Sequence, residues 1–234
     1  PGRNDRCEKW AKFPVDRSSR RSIRLPGRMK QIVGILLAAG SSKRFGADKR
    51  LHPLADGTPM ALASARRLAE SCSRTIVVIR PGDTALTILL AAEGMETVVC
   101  NEAEKGMGHS LSRGIAASAE ADGWLVALAD MPYIEPASYQ AVLGALQNGA
   151  SLARPTYQGK IGHPVGFSTN FLPDLLVLTG DQGGKTILDA HRNDLHLCPV
   201  EDPGILTDID QPSQVIVTEG YPNPLLASAL ALSP

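Results

Sequence analysis

Apolar positions along the chain fall into short aliphatic runs separated by small and polar residues. Gln31 to Ala38 (QIVGILLA) is aliphatic and β-branched, too short for a typical helix, and halts at Gly40. That is the pattern of a parallel strand buried on both faces and followed by a loop. Residues 60–71 have helical spacing. Thr75 to Ile79 (TIVVI) predicts the second strand, closed by the Pro81-Gly82 turn, and Asp83 or Thr84 can cap a helix running to about Ala92. Thr97 to Cys100 predicts a third strand, Ser110 to Ala119 a third helix, and Trp124 to Ala129 a fourth strand ending on Asp130. Pro136 to Leu146 is helical, with proline suited to the first turn.

This β-α-β-α-β-α-β order predicts an α/β fold, a Rossmann-like open and mostly parallel sheet with helices on both faces. Such sheets bind ligands at the carboxyl ends of their strands, so 39–49 and 130–135 become the loops of interest. From Ala150 onward the pattern loosens into short strands (Ser151–Arg154, His163–Phe167, Leu195–Val200) and short helices (Phe171–Leu178, Thr186–Arg192).

Composition changes the picture in one respect. Hydrophobic residues make up 43% and charged residues 21%, an ordinary globular balance. The formal net charge of zero hides an asymmetry: residues 1–28 hold nine Lys/Arg against three acids, so the rest of the chain is acidic. An acidic body argues against nucleic-acid binding, which needs clustered cations. Residues 1–28 are expected to be a disordered basic extension or a start artefact, and 29–234 one domain. No apolar run is long enough to span a bilayer. The four cysteines form no C-x-x-C pair, so a cytoplasmic protein with reduced thiols is expected.

The candidate chemistry sits in the loop after the first strand. Leu37-Ala38-Ala39-Gly40-Ser41-Ser42-Lys43-Arg44-Phe45-Gly46-Ala47-Asp48-Lys49 packs two glycines, two serines and three cations together. Small residues let backbone N–H groups approach an anion, and the cations suit a polyphosphate. It is neither a Walker A loop nor a G-x-G-x-x-G turn.

The string L-A-A-G-x-S-x-R-F-G-x-x-K resembles the signature of the molybdenum cofactor cytidylyltransferase and guanylyltransferase group. Gly106–Leu111, Leu128–Pro132, Gly162–Val165, Gly180–Lys185 and Thr207–Pro212 follow in the order that family has. The resemblance implies a nucleotidyltransferase that binds an NTP and Mg²⁺ and releases pyrophosphate. It assigns Leu37, Ala38, Ala39, Gly40, Ser42, Arg44 and Lys49 to the nucleotide, with Ala39, Gly40, Arg44 and Lys49 on the triphosphate and Ser110 near base and ribose. Arg44, Lys49 and Asp130 become the catalytic set, Asp130 as metal ligand. The Ala39 position follows the cytidylyltransferase branch, where guanylyltransferases carry glycine, so CTP is expected over GTP. A molybdopterin-type phosphorylated acceptor is implied, with a molybdoenzyme or its maturation chaperone as partner.

Some roles stay open on the residues themselves. Asp130 is either a turn cap or, at the expected crevice opposite a cationic loop, a metal ligand; the position favours the second. Asp208 and Asp210 share one face if their segment is extended, and both then approach the same ion, unless the Gln211-Pro212 turn makes Asp210 a cap. His163 is either a satisfied loop residue or an acceptor contact. Asp181 and Lys185 belong to the acceptor side, where Lys185 and Gly184 depart from the family's arginine and alanine. A sugar-phosphate or other small-phosphate nucleotidyltransferase, and a non-catalytic cofactor-delivery protein, are the competing functions.

Overall fold

The computed structural model describes residues 30–40, 45, 48–211 and 215. Residues 1–28, and Ser42 and Arg44 of the candidate loop, lie outside the described residues. Strands β1 (Ile32–Leu37), β2 (Thr75–Ile79), β3 (Glu96–Val99) and β4 (Gly123–Leu128) follow the predicted runs to within a residue at each end. They pair in parallel, in the spatial order β3-β2-β1-β4. Helices α1 (Met60–Ala69), α2 (Thr84–Ala92), α3 (Met107–Ala116) and α4 (Pro136–Gln147) supply the connections.

The second half extends the same sheet. Strand β5 (Leu152–Tyr157) turns into β6 (Lys160–Ile161) as an antiparallel pair. Next, β7 (Val165–Ser168) inserts antiparallel between β4 and β5, and β8 (Leu195–Pro199) runs parallel to β5. Two short helices, α5 (Leu172–Leu176) and α6 (Lys185–Ala190), lie between β7 and β8. No described helix is long and apolar enough to cross a membrane.

Alternation along β1 separates two cores. Ile32 and Leu36 join Leu68, Val77, Leu86, Leu125 and Tyr139, under α1, α2 and α4. Val33 and Ile35 join Val78, Leu111, Ile115, Trp124, Phe167 and Ile187, under α3 and the short helices. Each large side chain buried this way contributes about 1.5–3 kcal/mol. Close helix approach requires two small residues: a Cβ on Gly34 would lie 2.9 Å from Leu68 Cγ, and one on Gly114 would lie 2.8 Å from Ile35 Cγ2.

The loop after β1 is tied down by a residue the sequence pattern did not single out. Arg50 is 3% exposed, in a short 3-10 turn at Lys49–Leu51. Its Nη1 donates to the Ala38 carbonyl at 2.7 Å, its Nε to Asp48 Oδ1 at 2.7 Å, and its Nη2 to Asp83 Oδ1 at 2.7 Å. Burial opposes its charge, but the two carboxylates more than offset that and raise its pKa. Asp83 in turn accepts from Arg80 N at 2.8 Å. The hydrogen bond from Arg50 holds Asp48 below its ordinary value of 3.8. Asp83, although its burial works the other way, is held below 3.8 by Arg50 as well.

Two predictions follow from this packing. The Tyr139 hydroxyl is buried with no hydrogen-bond partner among the described residues, so Tyr139→Phe removes an unmet desolvation cost without opening a cavity. Its melting temperature should equal or exceed that of the wild type; a fall of more than about 2 °C would refute this.

Replacing Arg50 by Met strands two carboxylates, one of them only 8% exposed on its side chain. Arg80 remains within 3.4 Å of Asp83, which places the expected loss near the lower end of the range for broken buried pairs, about 3 kcal/mol in urea unfolding. Because the folded pKa values of Asp48 and Asp83 are depressed, their contribution is complete above 3.8 and is lost as pH falls below that value. The gap between wild type and Arg50→Met should therefore narrow in acid.

Candidate active site

The carboxyl ends of β1 and β4 lie side by side because the two strands pair over their whole length, Leu37 opposite Leu128. Beyond them an open cleft is lined by Leu37, Ala38, Gly40, Lys49, Ala129 and Asp130, with Arg50 and Met60 completing its wall. Five positions expected from the sequence thus meet in one place: Leu37, Ala38, Gly40, Lys49 and Asp130. Ala39 is buried, its methyl in the core on the α3 side, while Ala38 packs into the opposite core. Backbone between them is left to face the cleft.

Lys49 occupies the centre of the charge arrangement. Its Nζ donates to Asp130 Oδ2 at 2.7 Å, to Asp210 Oδ1 at 3.1 Å and to the Ile209 carbonyl at 3.3 Å. Burial opposes the ammonium charge, and the hydrogen bonds and charges of Asp130 and Asp210 outweigh it, raising the Lys49 pKa. Lys49 is therefore cationic throughout the physiological range. Three oxygens converge on this cation, and oxygen donors are what magnesium and manganese take. Their chemistry fits a divalent ion at Asp130 and Asp210.

Asp210 comes from far along the chain, and its placement has a visible cause. Asp202, 2% exposed, accepts from Glu135 N at 2.8 Å and Ser138 Oγ at 2.7 Å at the start of α4, and from Gly204 N at 2.8 Å. This buried carboxylate satisfies N–H groups at a helix N-terminus, where negative charge is favoured. The chain then runs on until Ile209 N donates to the Asp130 carbonyl at 2.9 Å. Ile209 is buried against Phe45 and Met60, Asp210 meets Lys49, and Asp208 is exposed. Among the described residues, no three His, Cys, Asp or Glu side chains gather into a metal-sized cluster.

Ser110 is buried on α3, which begins three residues earlier than its predicted start. The cause is tertiary: a Cβ on Gly108 would lie 2.5 Å from the Thr179 carbonyl oxygen, and Gly108 N donates to the Gly180 carbonyl at 2.8 Å. The 179–185 segment is thus packed against the N-terminal turn of α3. Asp181 and Lys185 are exposed there, with an Asp181 oxygen 2.5 Å from where a Gly106 Cβ would stand.

His163 is on the other side, next to β7, its N–H donating to the Ile205 carbonyl at 3.0 Å. Burial, and then the nearby charge of Arg154, push its pKa down to about 4, so it is neutral at physiological pH. Sequence reasoning missed Arg50, Asp202 and Arg154. No local signal marks any of them, since each acquires its role from partners outside its own segment.

Purine catabolism protein PucB of Bacillus subtilis (strain 168) is 30% identical over 197 residues, covering 80% of this chain and 95% of that protein. Nicotine blue oxidoreductase of Paenarthrobacter nicotinovorans is 28% identical over 193 residues, covering 79% and 94%. The crystal structure of Rv0371c from Mycobacterium tuberculosis H37Rv superposes with a TM-score of 0.69 at 26% identity, over 79% of this chain and 96% of that one. The same protein in complex with manganese superposes with a TM-score of 0.62 at 25% identity, over 73% and 89%. Residues 34–195 match the model of the MobA-like NTP transferase domain, and the chain belongs to that family of nucleotidyltransferases.

Proposed function

We propose that this nucleotidyltransferase moves CMP from CTP onto the phosphate of a molybdopterin-type acceptor and releases pyrophosphate. The observation that carries the reading is the Lys49 ammonium held between Asp130 and Asp210 at the mouth of the Ala38–Gly40 cleft. A triphosphate entering over the β1 loop brings more negative charge to Lys49 than either carboxylate does. Lys49 then turns to the phosphates, and the oxygens of Asp130 and Asp210 become available. Those two residues would hold Mg²⁺, which when bound offsets charge on the transferring phosphoryl group and on departing pyrophosphate. The manganese complex of Rv0371c supports divalent-metal use among relatives.

Attack by an acceptor phosphate oxygen in line with the leaving pyrophosphate needs no protein base, since a phosphate monoester is already largely ionised at neutral pH, its second pKa being about 6. Positioning and charge compensation by Lys49 and Arg44 carry the rate. Ser110, Asp181, Lys185 and His163 are assigned to substrate contacts on the same basis as the family resemblance. The preference for CTP rests on the family resemblance at Ala39, where the cytidylyltransferase branch carries alanine and the guanylyltransferase branch glycine.

The test is pyrophosphate release with CTP or GTP and a molybdopterin acceptor, with sugar phosphates as alternative acceptors. CTP should be used in preference to GTP; equal or better use of GTP would overturn the base assignment. Release with a sugar phosphate alone would replace the acceptor, and no release with any acceptor would favour a delivery protein. Asp130→Asn should keep the wild-type melting temperature and lose about a hundredfold or more in turnover at saturating magnesium. Wild-type turnover in that variant would remove Asp130 from the mechanism.

A further inference from the structure

Arg154 is a half-buried cation with no acid partner among the described residues. It stands on β5 two residues after Leu152, whose side chain is in the core on the α3 side, so Arg154 shares that face of the sheet. Its Nε donates to the Gly162 carbonyl at 3.0 Å, and its guanidinium makes no ion pair with a described residue. Arg50, Arg66 and Arg74 contrast with it: carboxylates raise the pKa of all three, whereas burial lowers that of Arg154. The neighbouring His163 is neutral and brings no negative charge.

The guanidinium is also held in place. A Cβ on Gly162 would lie 2.3 Å from the Ile205 carbonyl oxygen, so the loop that accepts from Nε is pressed against the 205–209 segment. Partly desolvating a guanidinium without a counter-charge is costly, and a planar fork with two free nitrogens is matched by an oxyanion.

We propose that Arg154, with His163 beside it, forms an oxyanion subsite for the acceptor, distinct from the triphosphate cleft. The proposal rests on the transferase reading above, and it adds a requirement on the substrate. His163 is anchored at Ile205 and Asp130 at Ile209 by backbone hydrogen bonds, and four residues span at most about 14 Å. The acceptor therefore carries, besides its reacting phosphate, a second oxyanionic group within a distance of that order.

The test titrates inorganic phosphate into the full-length protein while following the His163 imidazole resonance by NMR, assigned with His163→Gln. The titration is run with and without saturating CTP and magnesium. Wild-type protein should show a saturable shift that survives CTP, which separates this subsite from the triphosphate cleft. Arg154→Gln should weaken phosphate binding by about tenfold or more, and Arg154→Lys should restore part of it. Both variants should bind CTP as the wild type does.

Arg154→Gln should not lower the melting temperature, since it removes an uncompensated charge; a purely structural arginine would behave oppositely. No saturable shift in the wild type, an unchanged affinity in Arg154→Gln, or loss of the shift on adding CTP would each overturn the proposal. Failure of CTP to bind the wild type would instead count against the transferase reading and leave the phosphate result standing.

Discussion

The geometry at the mouth of the sheet depends on one buried guanidinium. Arg50 reaches the Ala38 carbonyl at the end of β1, the Asp48 carboxylate just before its own turn, and the Asp83 carboxylate at the start of α2. A guanidinium in that position is tolerable only if its donors are met, and the three acceptors come from three separate segments. Both ends of the loop after β1 are thereby fixed to each other and to the neighbouring βα unit. Lys49, one residue before Arg50, inherits a defined position from that clamp.

A second buried charge does the corresponding work from the far end of the chain. Asp202 caps α4 and starts the segment whose Ile209 pairs with the backbone of Asp130 and whose Asp210 meets Lys49. The Lys49–Asp130–Asp210 cluster is thus brought together by two buried side chains outside it, Arg50 and Asp202. Lys49 takes both Asp130 and Asp210 as partners, so one ammonium is shared by two carboxylates. Arg154 follows a different logic, because no described residue pairs with its charge.

The sheet was legible in the amino-acid sequence to the extent that burial on both faces imposes continuous aliphatic runs. QIVGILLA, TIVVI and WLVALA correspond to β1, β2 and β4 because strands in the middle of a parallel sheet touch helices above and below. Loops at their carboxyl ends were legible for the same reason, and Leu37, Ala38, Gly40, Lys49 and Asp130 do line one cleft. Local patterning, however, carries no pairing direction. The antiparallel insertion of β7 between β4 and β5, and the two-residue β6, have no signature in four- or five-residue windows.

What the sequence by itself determined is the order of the elements, their class and the loop that lines the cleft, because these depend on contacts among near neighbours and on hydrophobic period. The tertiary structure alone decided which charges meet. Lys49 and Asp210 are separated by 161 residues, and the Asp202 carboxylate and Glu135 N by 67. It also decided that α3 starts at Met107 and not at Ser110, since the Thr179 backbone is packed 2.5 Å from where a Gly108 Cβ would be. Asp208 and Asp210 look equivalent in the sequence, yet Ile209 is drawn into the core against Phe45 and Met60 and only Asp210 of the two is turned to Lys49. Electrostatic pairing and close backbone approach act across distances in sequence that no local pattern records.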